Sequence, residues 1–228
     1  MQSNKGNLQV LFEDNHIIVT NKRAGDITQG DKTGDKPLSE VVKEYIKDKY
    51  NKPGKVFIGT VHRLDRPTSG IIIFARTSKA LERLNKMLRE KTIKKTYWAI
   101  VKNQPKNKVD TLINFLKKDT KKNKSFVYNK EIDGSKKAIL HYNTIKKLDN
   151  YSLIEVDLET GRHHQIRTQL SHIGCPIKGD LKYGSDRSNK DGSISLHARK
   201  INFIHPVTKE EINITSPPPN DIIWNACL

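Results

Sequence analysis

At 228 residues the chain is long enough for one large domain or two small ones, with a real core. Its 42 Lys and Arg against 25 Asp and Glu leave a formal net charge of +17, which argues for a polyanionic partner, nucleic acid first. The two cysteines, Cys175 and Cys227, form no C-x-x-C pair and argue against a zinc cluster or disulfide framework. No stretch reaches the roughly 18 apolar residues of a membrane span, and the N-terminus lacks an apolar signal core, so a soluble cytoplasmic protein is expected.

Leu8–Glu13 and His16–Thr20 are β-rich runs around Asp14-Asn15, the pattern of a hairpin. Residues 21–37 form a polar loop. Leu38, Val41, Val42, Tyr45 and Ile46 recur at helical spacing, so residues 38–50 are expected as an amphipathic helix, stopped by Asn51-Lys52-Pro53-Gly54. Val56–Val61 and Ile71–Ala75 read as strands. Thr77 or Ser78 can cap a following helix with Leu81, Leu84 and Leu88 on one face and a basic outer face. Tyr97–Val101 reads as a strand. The lysine-dense stretch 102–137 has weak periodicity and reads as a solvated loop, with an RNA-grasping loop as the functional alternative. Ala138–Ile145 and Tyr151–Leu158 form a hairpin around Asp149-Asn150. His164–Ile173 is a short helix ending at Gly174; Ser195–Ile204 and Glu211–Thr215 are further strands. Many strands with a few helices predict an α+β fold around a largely antiparallel mixed sheet with flanking helices, as one domain over 1–228.

Residues 62–76, HRLDRPTSGIIIFAR, are the most informative segment. Asp65 lies between Arg63 and Arg66, followed by a Pro-Thr-Ser-Gly turn and an apolar strand. Nearby cations favour an ionised carboxylate. Such a group is no general acid at neutral pH, but it can serve as a nucleophile, and its setting suits an anionic substrate. In an isolated R-L-D-R string the simpler reading would be a loop ion pair.

This segment resembles the H-R-L-D-x-x-T-S-G signature of the RluA-type pseudouridine synthases. Three further blocks follow in the family's order. Lys95–Ala99 resembles K-x-Y-x-A. Thr160–Arg167 resembles T-G-R-x-H-Q-I-R, continued by Gly179-Asp180 and Tyr183-Gly184. Leu196-His197-Ala198, Phe203 and His205-Pro206 resemble the closing L-H-A…F-x-H-P. The likeness covers nearly the whole chain, in a short form without an N-terminal S4-type RNA-binding domain. It implies the pseudouridine synthase fold and an isomerase that needs neither cofactor nor metal. The implied partner is structured RNA, ribosomal or transfer, and a monomer is expected.

The resemblance also implies roles. Asp65 is the family's essential aspartate. Arg167 matches the arginine that pairs with that aspartate. Tyr97 matches the tyrosine that packs on the target base and is a candidate to remove the C5 proton. Its phenol, with an ordinary pKa near ~10, would need help as a base, and a strand tyrosine is more often core. Arg63 matches the residue that guards the space left by the flipped base, and Leu196 one that lines the uracil pocket. Arg162 is expected to face RNA or to be structural, and Ile166 to pack. One departure is visible: Asn21-Lys22-Arg23-Ala24-Gly25 stands where the family shows N-K-P-x-G, so that loop is expected to be less rigid, with Arg23 free for a phosphate and the block itself away from the chemistry. A metal site at His163-His164 is not expected, since adjacent helical histidines diverge. A non-catalytic RNA-binding or ribosome-associated protein on the same fold, and a metal-dependent nucleic-acid hydrolase, are the competing readings.

Overall fold

The structure, a computed structural model, describes residues 2–30 and 33–228. Met1, and Asp31 and Lys32 of the loop 21–37, lie outside the described residues. Chain contacts divide into two compact units. One comprises the residues up to Lys94 with Ala198–Pro218, the other Lys95–His197 with Pro219–Leu228.

In the first unit, β1 (Val10–Glu13) pairs antiparallel with β2 (Ile17–Lys22), and β2 with β4 (Ser69–Ala75). The two-residue β3 (Gly59–Thr60) adds to β4. β10 (Leu196–Ile204) enters this unit from Ala198 onward and pairs with β11 (Glu211–Thr215). β4 is buried along its whole length, which is why it reads as a continuous apolar run rather than an alternating one. Helix α1 (Leu38–Lys49) lays Leu38, Val41, Val42 and Ile46 against Ile18, Ile72 and Phe74. Helix α2 (Ser78–Arg89) starts at Thr77, whose side chain accepts the Ala80 N–H at 3.1 Å.

In the second unit the strands are ordered β5 (Lys94–Lys102), β9 (Tyr151–Leu158), β8 (Lys136–Lys147), β6 (Val109–Asp119), β7 (Lys124–Tyr128), each pairing antiparallel with the next. Helix α3 (Gln165–His172) covers one face. Its Gln169 amide donates to Leu112 O at 3.1 Å and to Asn114 Oδ1 at 2.8 Å. Helix α4 (Ile222–Cys227), capped by Asp221, packs Trp224 against Ile100 and Leu153. The ladders of both units bear out the α+β, largely antiparallel expectation. Among the described residues no helix is long and apolar enough to cross a membrane.

One expectation of secondary structure needed correction. The stretch 102–137 is not a loop: it contains the β6–β7 hairpin. Its period-2 signal is hidden because apolar side chains occupy both faces, Leu112 and Leu116 on one, Val109, Ile113 and Phe115 on the other. Past Pro219 the chain carries α4.

The first unit also holds a fully buried lysine. Lys22 closes β2, and its ammonium donates to Thr68 O at 2.7 Å, Arg23 O at 2.9 Å and Arg66 O at 3.1 Å. Three N–H groups meet three carbonyls, so the cation is fully hydrogen-bonded although it has left water. Burial pushes its pKa down from 10.5 to about 8, with Asp26 and Asp65 pulling the other way. Directly opposite Lys22 in the ladder is Gly70, at φ +113°, where a Cβ would land on the backbone N and O of Ala198.

Both residues yield expectations for thermal and denaturant unfolding. Lys22→Met should cost roughly 2–4 kcal/mol, because the Thr68 and Arg23 carbonyls lose the Lys22 donor and Arg66 O keeps only the Gly25 N–H. Between pH 8 and 10.5 the unfolded chain holds the Lys22 proton and the folded chain does not, so wild-type stability relative to Lys22→Met should rise across that window. An unchanged difference would contradict the assigned burial cost. Gly70→Ala should destabilise by about 2 kcal/mol or more, combining a left-handed φ with a backbone clash; a wild-type midpoint would contradict the close approach.

Candidate active site

In the first unit, Asp65 sits in a turn between β3 and β4, and the turn is fixed from within. Thr68 N–H donates to Asp65 O at 3.0 Å, closing the turn over Arg66-Pro67. Thr28 Oγ1 donates to Leu64 O and accepts Leu64 N–H, both at 3.3 Å. Gly25 N–H reaches Arg66 O at 2.8 Å, beside the Lys22 ammonium on the same carbonyl. His62 Nε2 accepts the Ile73 N–H at 3.2 Å, so that nitrogen carries no proton. Asp65 is partly buried, and Arg63 and Arg66 on either side are exposed.

The charge around Asp65 differs from the simple flanking picture. Arg66 turns outward to an ion pair with Asp35. Lys22 is a buried cation within electrostatic reach of Asp65. The Asn21–Gly25 block braces the backbone on which Asp65 is mounted. Arg23 is not left for phosphate alone, since its guanidinium donates to Asn7 O at 3.2 Å. Sequence inspection misses Lys22 because one lysine among many in a basic chain carries no sign of burial.

In the second unit, Tyr97 lies on β5 opposite Val156, buried at 7% exposure. The start of α3 is set by Gln165, whose Oε1 accepts Thr160 Oγ1–H at 2.8 Å and Arg162 N–H at 3.0 Å while its amide donates to Ile139 O. This explains the local T-G-R-x-H-Q spacing: the glutamine side chain folds back over the turn before the helix. His164 takes a left-handed conformation there, φ 54°. The two histidines precede the helix rather than riding on it, and their rings stack at 3.8 Å instead of diverging. Each is occupied: His163 Nδ1 meets Ser125 Oγ at 2.9 Å, and His164 Nδ1 meets Tyr183 Oη at 2.8 Å. Tyr183 Oη also accepts the Ser125 N–H at 2.8 Å and carries a proton of its own. Burial pushes the Tyr183 phenol pKa up, which keeps that proton in place. Among the described residues no group of three or more His, Cys, Asp or Glu is placed to hold a metal ion.

Arg167 and Asp180 form a buried two-point ion pair, Nε to Oδ2 at 2.7 Å and Nη2 to Oδ1 at 2.9 Å, with the guanidinium carbon 5.1 Å from the Tyr183 ring. The structure thus gathers Arg167, Asp180, Tyr183, His164 and Ser125 into one network. Asp180 and Tyr183 were visible in the sequence only as motif matches, without a role. Ile166 and Leu196 are buried apolar side chains, at 5% and 4% exposure. Arg162 is exposed and donates through Nε to Lys137 O at 2.9 Å.

Comparison with known proteins identifies the family. The family model described as RNA pseudouridylate synthase matches residues 16–172. An RNA pseudouridine synthase of Bacillus subtilis, YhcT, described as uncharacterized, is 35% identical over 221 residues, spanning 95% of this chain and 70% of its own. Ribosomal large subunit pseudouridine synthase C of Buchnera aphidicola subsp. Baizongia pistaciae is 37% identical over 220 residues, 92% of this chain and 67% of its own. tRNA pseudouridine synthase C of Haemophilus influenzae is 29% identical over 230 residues, 92% of each chain. Human RNA pseudouridylate synthase domain containing 4 shares the fold, with a TM-score of 0.79 at 21% identity, over 95% of this chain and 90% of that one. The chain therefore belongs to the RNA pseudouridylate synthase family, of the RluA type, and is an isomerase that forms pseudouridine in RNA.

Proposed function

We propose that the chain converts chosen uridines of structured ribosomal or transfer RNA to pseudouridine with Asp65 as its catalytic carboxylate. Two relatives support the RNA class, one named for large-subunit ribosomal RNA and one for transfer RNA. The observation that carries the assignment is the braced Asp65 turn, with the buried Lys22 ammonium beneath it. The reaction breaks the bond from uracil N1 to the ribose and forms one from uracil C5, the C5 proton leaving and N1 gaining one. No oxidant, reductant or energy source enters, so the chemistry calls for neither cofactor nor metal. An ionised carboxylate serves either route to glycosidic cleavage, attack at the ribose or removal of a ribose proton.

Tyr97 is the proposed stacking partner of the base and the acceptor of its C5 proton. Arg167 is the charge partner that the family motif assigns to the aspartate, held in orientation by Asp180 and Tyr183. Leu196 and Ile166 supply apolar walls for the uracil, Arg63 fills the space of the flipped base, and Arg162 faces the RNA backbone. Extruding the base costs a few kcal/mol, about what a handful of phosphate contacts can offset. The RNA substrate makes the cytoplasm the compartment we propose, with a monomer as the working form.

Tritium release from RNA labelled at uracil C5, measured on separate ribosomal and transfer RNA pools, tests the assignment. Wild type should release label from one pool, unaffected by chelator, and name the RNA class. Asp65→Ala should lose on the order of 10⁴-fold or more in turnover while still binding RNA; residual turnover near wild type would remove Asp65 from the chemistry. Arg167→Ala should lower both rate and stability, the latter by about 3–5 kcal/mol, because Asp180 would be left buried and unpaired. A fully active, fully stable Arg167→Ala protein would contradict both roles.

A further inference from the structure

The second unit's sheet has two unlike faces. Leu112, Leu116, Ala138, Leu140, Tyr142, Val156 and Tyr97 point to the side that α3 covers. Cross-strand register puts the alternate residues on the other side. There, at the β7–β6–β8 corner, Phe126 lies opposite Lys117, and Phe115 lies between Tyr128 and Lys137. Ile113 and Ile139 continue the face. This corner is open: Phe126 is 37% and Ile113 56% exposed, and both lysines are exposed. The Lys124 ammonium lies 5.8 Å from the Phe126 ring centroid. The adjoining turn adds Lys121 and Lys122.

Farther along the same face the character reverses. β9 presents Glu155 and Asp157, and Glu159 follows just past its end; they are bonded to Trp98, Thr96 and His141 respectively. In a chain of net charge +17 this acidic row bounds the basic corner and would repel a phosphate chain that strayed from it.

Aromatic rings spaced along a strand and interleaved with lysines are the chemistry of single-stranded nucleic-acid recognition. Bases stack on the rings, and phosphates meet the ammonium groups. We propose that the open β7–β6–β8 face is a second RNA-binding surface, which takes an unpaired strand of the substrate by stacking bases on Phe126 and Tyr128 with phosphates on Lys117 and Lys137. It lies on the opposite face of this sheet from Tyr97 and α3, so it selects RNA by an unpaired flank and not by the target base. The proposal rests on the RNA substrate assigned above.

Fluorescence anisotropy with a short labelled single-stranded RNA tests it directly. The double variant Phe126→Ala with Tyr128→Ala should bind about tenfold or more weakly. With a full RNA substrate its KM should rise by a similar factor while kcat holds. Phe126→Trp keeps a stacking platform, so it should bind as wild type does and show indole quenching when RNA is added. Wild-type affinity in a folded double variant, or an unquenched indole at position 126, would overturn the proposal. So would a change in oligomeric state on sedimentation without a change in RNA affinity, which would make the face a contact between copies. Oligomer binding needs no turnover, so failure of the synthase assignment would appear separately, as wild type that releases no tritium.

Discussion

The Lys22 ammonium is the interaction on which the Asp65 turn depends. A lysine with no exposed surface costs several kcal/mol in lost hydration, and it persists only because three backbone carbonyls receive its three protons. Two of those carbonyls, of Arg66 and Thr68, belong to the turn that carries Asp65. The lysine thus fixes the turn and supplies positive charge beneath it. β2 delivers Lys22 to that place, and β4, buried along its whole length, delivers Gly70 opposite it. One buried charge couples strand register to the position of the proposed catalytic group.

The second unit solves a related problem with an ion pair. Arg167 and Asp180 are both buried, and each would be costly alone. The two-point geometry and the Tyr183 ring fix the guanidinium plane, and the Tyr183 hydroxyl ties that plane through His164 and Ser125 to β7. The start of α3 is thereby joined to the edge strand that bears Phe126 and Tyr128. The α3-covered side of this sheet and its open side share β7 as a common element.

Much of the fold was legible where chemistry and periodicity agree. The α1 face, the Thr77 cap of α2, the apolar β4 and the β8–β9 hairpin all follow from local pattern. The β6–β7 hairpin was not legible, because a strand with apolar residues on both faces loses its alternation and lysines then dominate the impression. Helix α4 is too short to show a period, and Asp221 is its only strong local signal. For the site, motif likeness singled out Asp65, Tyr97 and Arg167 by position. It could not show that Lys22 is buried or that Asp180 holds Arg167, since both facts depend on residues far apart in the chain. The histidine pair misled for a local reason: His164 leaves helical geometry, and the two rings can then stack.

The most direct test of the Lys22 account is nitrogen-detected NMR of the lysine side chains. A buried ammonium bonded to three carbonyls should give one slowly exchanging NH₃⁺ signal at neutral pH that disappears as pH rises through about 8. The signal should be missing from Lys22→Met. If all lysine ammonium groups exchange as fast as surface ones at neutral pH, Lys22 is not held as described and the bracing of the Asp65 turn must come from elsewhere.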